Sequence, residues 1–584
     1  MNRFRSYFPQ DETPVAFGDG SWKGVHPNLF PGQIPEGYGS HGVNVRFDRG
    51  TVQPRKGIRL LSWGAKSGNP YEGLPGRING YGPVAGSGVF NDPTSGLTWI
   101  ITACRDGKVW RARPGSLSLE MDVPAGETIP DRVQLLQTFN GIVMFRGADA
   151  DPLFCENLDD GFQVIPDPAR GKIRLPRSSA ACFAQNRLVA VYAGTNDALR
   201  DSIFVSDAGG ITDVLQGPVN FQAFRINQGS RDALVAVYPF GQSSFLALKE
   251  NSIYVVGNVS GTNEDIAANA TLTPVANEYG IRAPRAVVQV GSDVWFLSHK
   301  RGICSLQLTI NNAVQAVDLP KSKAIDPYIH RINWRAAVNA VACMWDNKVY
   351  FAVPIDGSEH NNAVLVFQTQ TGEWAGYDSG AAIRVRDWLE FEIGGQIRAV
   401  MCSDDGYLSI YEDGFLDQVP GPNGTVIMSS VQSNFWTRGY GGDTAGKKRF
   451  GNMQYEVATW WPQYSIRAHF DGVNEFKAVV NGRTASRTRY SRPYGKTAWD
   501  PTNVNDDHAD PGRGDYSIAP SSSGIYTGQS GLLTSEHQIT EAGHRINKSA
   551  RYVQFELIGT QGRTELNGLS VEGFRVAPRA TVTT

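Results

Sequence analysis

The chain has 584 residues, 19% of them charged, and a formal net charge of −2. That balance excludes a strongly basic nucleic-acid binder and a polybasic membrane-surface protein. With 64 glycines and 32 prolines to make turns, and 10% aromatics to fill strands, the composition is that of an ordered, β-rich protein.

Residues 1–80 are rich in Gly and Pro. The opening MNRFRSYFPQDETP has no apolar leader core, and no run approaches the roughly 18 apolar residues of a membrane-spanning helix. One phrase stands out, GVNVRFDRGTVQPRKGIRLL (Gly42–Leu61). It reads as two short strands about the turn Asp48-Arg49-Gly50, ended by Pro54 and Gly57, either as a surface hairpin with solvated arginines or as a contact element.

Strand phrases follow at Gly96–Ala112, Val133–Gly147, Asp151–Ile165, Ala181–Gly194 and Ser202–Phe240. The clearest stretch is Ala233–Leu308. There LVAVYPF, FLALKE, IYVVG, AVVQVG, VWFLS and ICSLQL are separated by short Gly, Ser, Asn and Asp turns. Period-two alternation with turns about every 8–12 residues is the signature of sandwiches, barrels and propellers. The pattern "Gly/Asn, then a short apolar strand" also occurs outside that stretch, at Asn140, Asn186, Asp346 and Asp405, and along the chain its interval is irregular, roughly 40–55 residues. That interval suits four-stranded propeller blades with loops of variable length. The expectation is an all-β chain, with a β-propeller of six or seven blades over residues 81–417. Gln418–Gly424 reads as a linker.

From Thr425 the strands lengthen. The expectation for 425–584 is a C-terminal β-sandwich-like domain interrupted by a long inserted loop, 481–546, rich in Gly, Ser and Asp. A loop of that length is usually functional or disordered. It also carries Trp499, Tyr516, Tyr526, Leu532 and Leu533, more apolar anchors than a linker needs, so it is expected to pack on another chain. Arg438–Asp500 holds eleven Lys/Arg against five Asp/Glu, while Pro501–His544 holds six Asp/Glu against one Arg. Such an asymmetry fits a contact between subunits, or else two solvated faces.

Several constellations bear on chemistry. The six cysteines are far apart with no CxxC, as for buried free thiols folded in a reducing cytoplasm. SDAGGIT (Ser206–Thr212) and SDDGYL (Ser403–Leu408) resemble fragments of the Asp-box, a folding turn of sialidase propellers rather than a catalytic element. A sialidase also needs an arginine triad, a Tyr nucleophile and acids on separate blades. NVNDDHADPGRGD (Asn503–Asp515) gathers hard oxygen ligands but departs from the EF-hand spacing. No HExxH, P-loop or GxGxxG occurs, so no metal, nucleotide or other cofactor is expected.

The middle of the chain resembles the nozzle, or tail tubular B, proteins of short-tailed bacteriophages and related tail-hub proteins. NVRFDRGTVQPRKGI is similar to their N-terminal "N-x-R-F… P-R-x-G" hairpin. NRLVAVYAG, SIFVSD and INQGSRDALVAVYPF resemble the next block. FLALKENSIYVVGN with LTPVANEYGIRAPRAVVQVGSDVWFLSHKRGICSL resembles the most specific one. The likeness runs over about Gly42–Asp378. It implies a non-enzymatic, structural subunit of a homo-hexameric ring in the virion tail, assembled in the host cytoplasm. Such a ring lies beneath portal and adaptor, contacts other tail proteins and, indirectly, the host envelope. Double-stranded DNA passes through it without specific binding. Interface roles are expected for Arg46, Arg55, Trp499 and Tyr516, with the two arginines bonded to carbonyls or carboxylates of the C-terminal sandwich or of a neighbouring subunit. The alternative is a propeller-based glycan-binding or glycan-cleaving tail protein, which would need a pocket with convergent carboxylates or stacked aromatics at one propeller mouth.

Overall fold

A computed structural model describes residues 15–61, 81–113, 118–138, 141–164, 175–193, 199–206, 221–227, 230, 232–241, 244–260, 268–308, 314–316, 319–414, 416–421, 425–441, 447–471, 476–482, 488–490 and 538–575. The chain is all-β and is built on a propeller of seven blades, each a four-stranded antiparallel meander.

Blade one is Val84–Asn91, Thr98–Cys104, Val109–Ala112 and Leu119–Met121. Blade two is Gln134–Thr138, Gly141–Phe145, Leu153–Cys155 and Gln163–Val164. Blade three is Ser178–Ala184, Arg187–Tyr192, Ser202–Ser206 and Phe221–Arg225. Blade four is Leu234–Phe240, Ser244–Lys249, Ile253–Gly257 and Thr271–Ala276. Blade five is Val287–Val290, Asp293–Ser298, Gly302–Leu308 and Val314–Ala316. Blade six is Val341–Trp345, Lys348–Val353, Ala363–Gln368 and Glu373–Ser379.

Blade seven draws Val385–Ile393, Gln396–Ser403 and Leu408–Ile410 from the end of the propeller sequence. Its outermost strand is Arg59–Leu60, with Leu60 opposite Ser409 and Arg59 opposite Ile410. The N-terminal segment therefore closes the ring.

The second strand of each blade is mostly apolar and buried because neighbouring blades cover both its faces. In Gly141–Phe145 every residue is buried, and so is every residue of Val349–Val353. The outermost strand of blade two faces water, with Gln163 and Val164 both exposed, whereas that of blade six, Glu373–Ser379, is covered.

Specific bonds join the blades at all seven seams. Between blades one and two, the Val133 amide donates to the Ala85 carbonyl (3.3 Å). Between two and three, the Gln134 side chain clamps both backbone groups of Ala181 at 2.8 Å. Leu234 N–H reaches Arg200 O (3.0 Å) between three and four, and Gln289 N–H reaches the Tyr238 hydroxyl (3.1 Å) between four and five. Ala342 N–H to Arg285 O (3.0 Å) and Val385 N–H to Asn361 O (3.1 Å) bind the next two seams. Asp387 accepts from Ser87 N–H (2.9 Å) and closes seven onto one.

The C-terminal part is a β-sandwich made largely by two 23-residue strands, Lys448–Phe470 and Val553–Arg575. Both bend, and the registers show it. Lys448 lies opposite Ala550 and Phe470 opposite Val553. Ala550 and Val553 are close neighbours in the chain, so the two ends of the first long strand are brought together. The strand folds back near Trp460–Gln463, where its register shifts. Bulges are the usual means of bending a strand this sharply. The facing halves bury Phe450, Met453, Ile466, Phe470, Phe555 and Val571 in one core.

The sequence division into residues 1–80, 81–417 and 425–584 needs correction. The N-terminal segment is not an extension. Val15–Asp19 and Thr51–Pro54 pair with the last long strand, Tyr38–Val43 pairs with Ser433–Thr437, and Arg59–Leu60 completes blade seven. Val43 also meets Tyr377, so blade six and the sandwich share one continuous sheet. The approach there is close. A Cβ on Gly376, whose φ is +111°, would lie 2.1 Å from the Gly42 carbonyl oxygen.

Of the expected loop 481–546, strand Thr488–Tyr490 and strand Gln538–Ala550 belong to the sandwich. Trp499, Tyr516, Tyr526, Leu532, Leu533 and the acidic Asn503–Asp515 lie outside the described residues.

Candidate functional site

Two places concentrate charged groups in the interior: the junction between propeller and sandwich, and one mouth of the propeller axis.

The junction is built by the NVRFDRGTVQPRKG phrase. Val45–Asp48 and Thr51–Pro54 form the hairpin, with Arg49 and Gly50 both at positive φ in its turn. Of its three arginines, Arg49 is exposed in the turn, while Arg46 and Arg55 point inward and are buried. Arg46 Nε donates to Glu412 Oε1 (2.6 Å), and its Nη1 and Nη2 grip both oxygens of Asp378 at 2.9 and 2.5 Å. Arg55 holds Asp417 the same way, at 2.8 and 2.6 Å, and donates from Nε to Asn44 Oδ1 (3.0 Å). These are bidentate, charge-assisted pairs, the strongest form such contacts take.

Burial alone would lower the Arg46 guanidinium, but Asp378 and Glu412 outweigh it and hold its pKa well above the ordinary value. Burial pulls Glu412 upward, yet Arg46 and then Lys348 bring it down to about 2. Lys348 Nζ lies 3.2 Å from Glu412, and the Tyr411 hydroxyl donates to Asp378 (2.5 Å). Asn44, held at φ +55°, completes the knot. Its amide donates to the carbonyls of Ser379 and Gln432, tying blade six to the sandwich.

Arg46 and Arg55 thus bond carboxylates, as the sequence suggested, but the expected partners were wrong. The carboxylates belong to blade six and to the segment after blade seven, within the same chain, and neither arginine faces outward. The reason is topological. The hairpin packs against blade six and the segment after blade seven, where Arg46, Arg55 and Lys348 together balance the three buried acids Asp378, Glu412 and Asp417. Sequence reasoning missed Asp378, Glu412 and Asp417. The available signal was an acidic residue ending each apolar or turn phrase, EWAGYD, LSIYE and GFLD.

Part of the expected basic face is also neutralised internally. Arg438 pairs with Asp19 (3.0 Å) and Glu36 (3.2 Å), and Lys448 is buried. SDDGYL is a turn in blade seven, with Tyr407 and Ser403 paired through their backbones; Asp404 is engaged by Arg105 and Asp405 by Arg384. SDAGGIT falls beyond Ser206, outside the described residues. All six cysteines are buried free thiols, and burial pushes Cys155, Cys304 and Cys343 up to about 12. Among the described residues no group of three or more His, Cys, Asp or Glu is placed to hold a metal ion.

The second place is a cavity of about 470 Å³ on the propeller axis. It sits where the innermost strands of all seven blades begin. Ala85, Gln134, Ser179, Leu234, Arg285, Val341 and Arg386 line it, one from each blade or its approach. No sequence motif marks it.

No family model and no curated protein matches the chain. Among solved structures, it is similar to the β-propeller domain of Cps50 (Swd1) from Myceliophteria thermophila, with 10% identity and a TM-score of 0.36, over 58% of this chain and 100% of that one. That likeness concerns the propeller fold.

Proposed function

We propose that the chain is a structural subunit of the tail nozzle, or hub, ring of a short-tailed bacteriophage, forming part of the conduit for genome ejection beneath portal and adaptor. The observation that carries the reading is the place of the NVRFDRGTVQPRKG phrase. It resembles the family's N-terminal hairpin, and its Arg46 and Arg55 form the buried knot that ties blade six, the ring closure and the sandwich together. A conduit subunit must keep its shape while a polyanion passes. A propeller closed by its own N-terminal strand and sharing a sheet with its second part is suited to that. The near-neutral charge also fits, because a lining rich in Lys and Arg would release counterions and retain DNA.

The test is assembly. The purified chain, mixed with the portal and adaptor of the same particle, is expected to form a six-fold ring by cryo-electron microscopy. The insertion 481–546, with Trp499 and Tyr516, is expected to be cut by protease in the monomer and protected in the ring. A chain that stays monomeric or trimeric with those partners and binds glycans overturns the proposal in favour of the glycan-binding alternative.

A further inference from the structure

The axial cavity holds more positive charge than its neighbours neutralise. Arg285 pairs with Asp387, and Arg146 with Glu127. Among the described residues Arg132 and Arg386 have no such partner. Nη2 of Arg132 and Nη1 of Arg386 both donate to the same acceptor, Asn339 Oδ1. The other bonds of Arg386 go to the backbone carbonyls of Ala85 and Asp131. No described carboxylate forms an ion pair with either guanidinium, and exposed Arg282 at the rim has neither an ion pair nor a hydrogen bond among the described residues. The lining acids Asp131 and Asp149 are exposed.

Two guanidiniums that share one neutral oxygen are close neighbours of like charge, and both are largely withdrawn from water. Burial lowers the Arg132 guanidinium to about 10, with Arg386 and Arg285 adding to the effect and Asp131 opposing it. Arg386 is lowered as well, by burial first, with Arg105 and Arg285 adding to it and Asp404 and Asp387 opposing. Both stay charged at neutral pH. An anion between them would relieve the repulsion and replace the lost hydration. The planar guanidinium fork matches the oxygens of a carboxylate or a phosphate. The remaining wall includes Phe145, Leu234, Val235, Pro284 and Val338, and so offers an apolar surface to the body of a ligand. A volume near 470 Å³ lies within the range of small-molecule sites.

We propose that the axial mouth of the propeller binds a small ligand through an oxyanion, a carboxylate or a phosphate, held between Arg132 and Arg386 with Arg282 at the rim. The experiment is calorimetric titration of the full chain at low salt with three probes: inorganic phosphate, glucuronate and glucose. Saturable binding of phosphate or glucuronate, but not of glucose, is expected, and the tighter of the two anions identifies the oxyanion class. Arg132→Gln and Arg386→Gln are each expected to weaken binding about ten-fold or more, the loss of one charge-assisted contact. Arg282→Ala, at an exposed position that the fold does not need, is expected to weaken it about three-fold through lost electrostatic attraction. Arg384→Gln, outside the cavity on Asp405, is expected to leave it unchanged. Failure of both anions to bind, equal binding of glucose, or undiminished binding in folded Arg132→Gln and in Arg282→Ala overturns the proposal.

Discussion

Replacing Arg46 with Ala removes the cation on which the propeller–sandwich junction turns. Asp378 and Glu412 are 0% and 4% exposed at their side chains. After the substitution Glu412 keeps Lys348, but Asp378 keeps the Tyr411 hydroxyl as its one side-chain hydrogen bond among the described residues, with Arg55 a more distant cation. Breaking a buried pair by deleting one partner costs about 3–5 kcal/mol, because the remaining charge has lost its compensation. A value of about 4 kcal/mol is therefore expected, given that one of the two acids retains a cation. The assay is urea unfolding followed by tryptophan fluorescence, with wild type, Arg46→Ala and Arg46→Met/Asp378→Asn compared at pH 7. The charge-free double variant should recover much of the loss, which a simple cavity would not explain. A cost below about 1 kcal/mol, typical of a solvated side chain, would refute the reasoning.

Three further outcomes follow from the same structure. Leu61→Pro removes the amide that donates to Leu408 O (2.9 Å) beside the closing strand; amide exchange should accelerate in blades seven and one while blade four keeps its protection, and uniform acceleration would contradict local closure. Gly376→Ala should cost about 1–3 kcal/mol from its positive φ alone, and more from the clash with Gly42 O, read as a lowered unfolding midpoint. Burial lowers His41 to about 4, with Arg331 adding and Glu556 opposing, so below 6.5 the unfolded chain binds a proton that the folded chain refuses. Stability should thus be complete above pH 6.5, fall by up to about 1.4 kcal/mol per pH unit on the way to pH 4, and fall further from 4.5 towards 2 as Glu412 protonates. His41→Gln should flatten the upper part of that window, and an unchanged slope would assign the loss elsewhere.

The strand content and the blades could be read along the chain because they are local. In Val287–Val290 and Asp293–Ser298 the turn at Gly291-Ser292, with Gly291 at φ +62°, is set by neighbouring residues. For Arg46 and Arg55 the sequence left carbonyls and carboxylates both open as partners, and the structure shows carboxylates. The partners' addresses could not be read. Asp378 lies 332 positions from Arg46, and only ring closure brings them together.

What the sequence determined by itself was the all-β class, a propeller of six or seven blades and a change of texture near Thr425. Each of these rests on periodicity and turn chemistry over a few residues. Tertiary structure alone decided the count of seven. The seventh blade is completed by Arg59–Leu60, a pair too short to carry any period. It also decided that the N-terminal strands belong to the sandwich, and that Arg132 and Arg386, 254 positions apart, converge on one oxygen of Asn339. Those outcomes depend on where closed ends meet. A closed ring places the first strands of all its blades around one axis, whatever their separation along the chain.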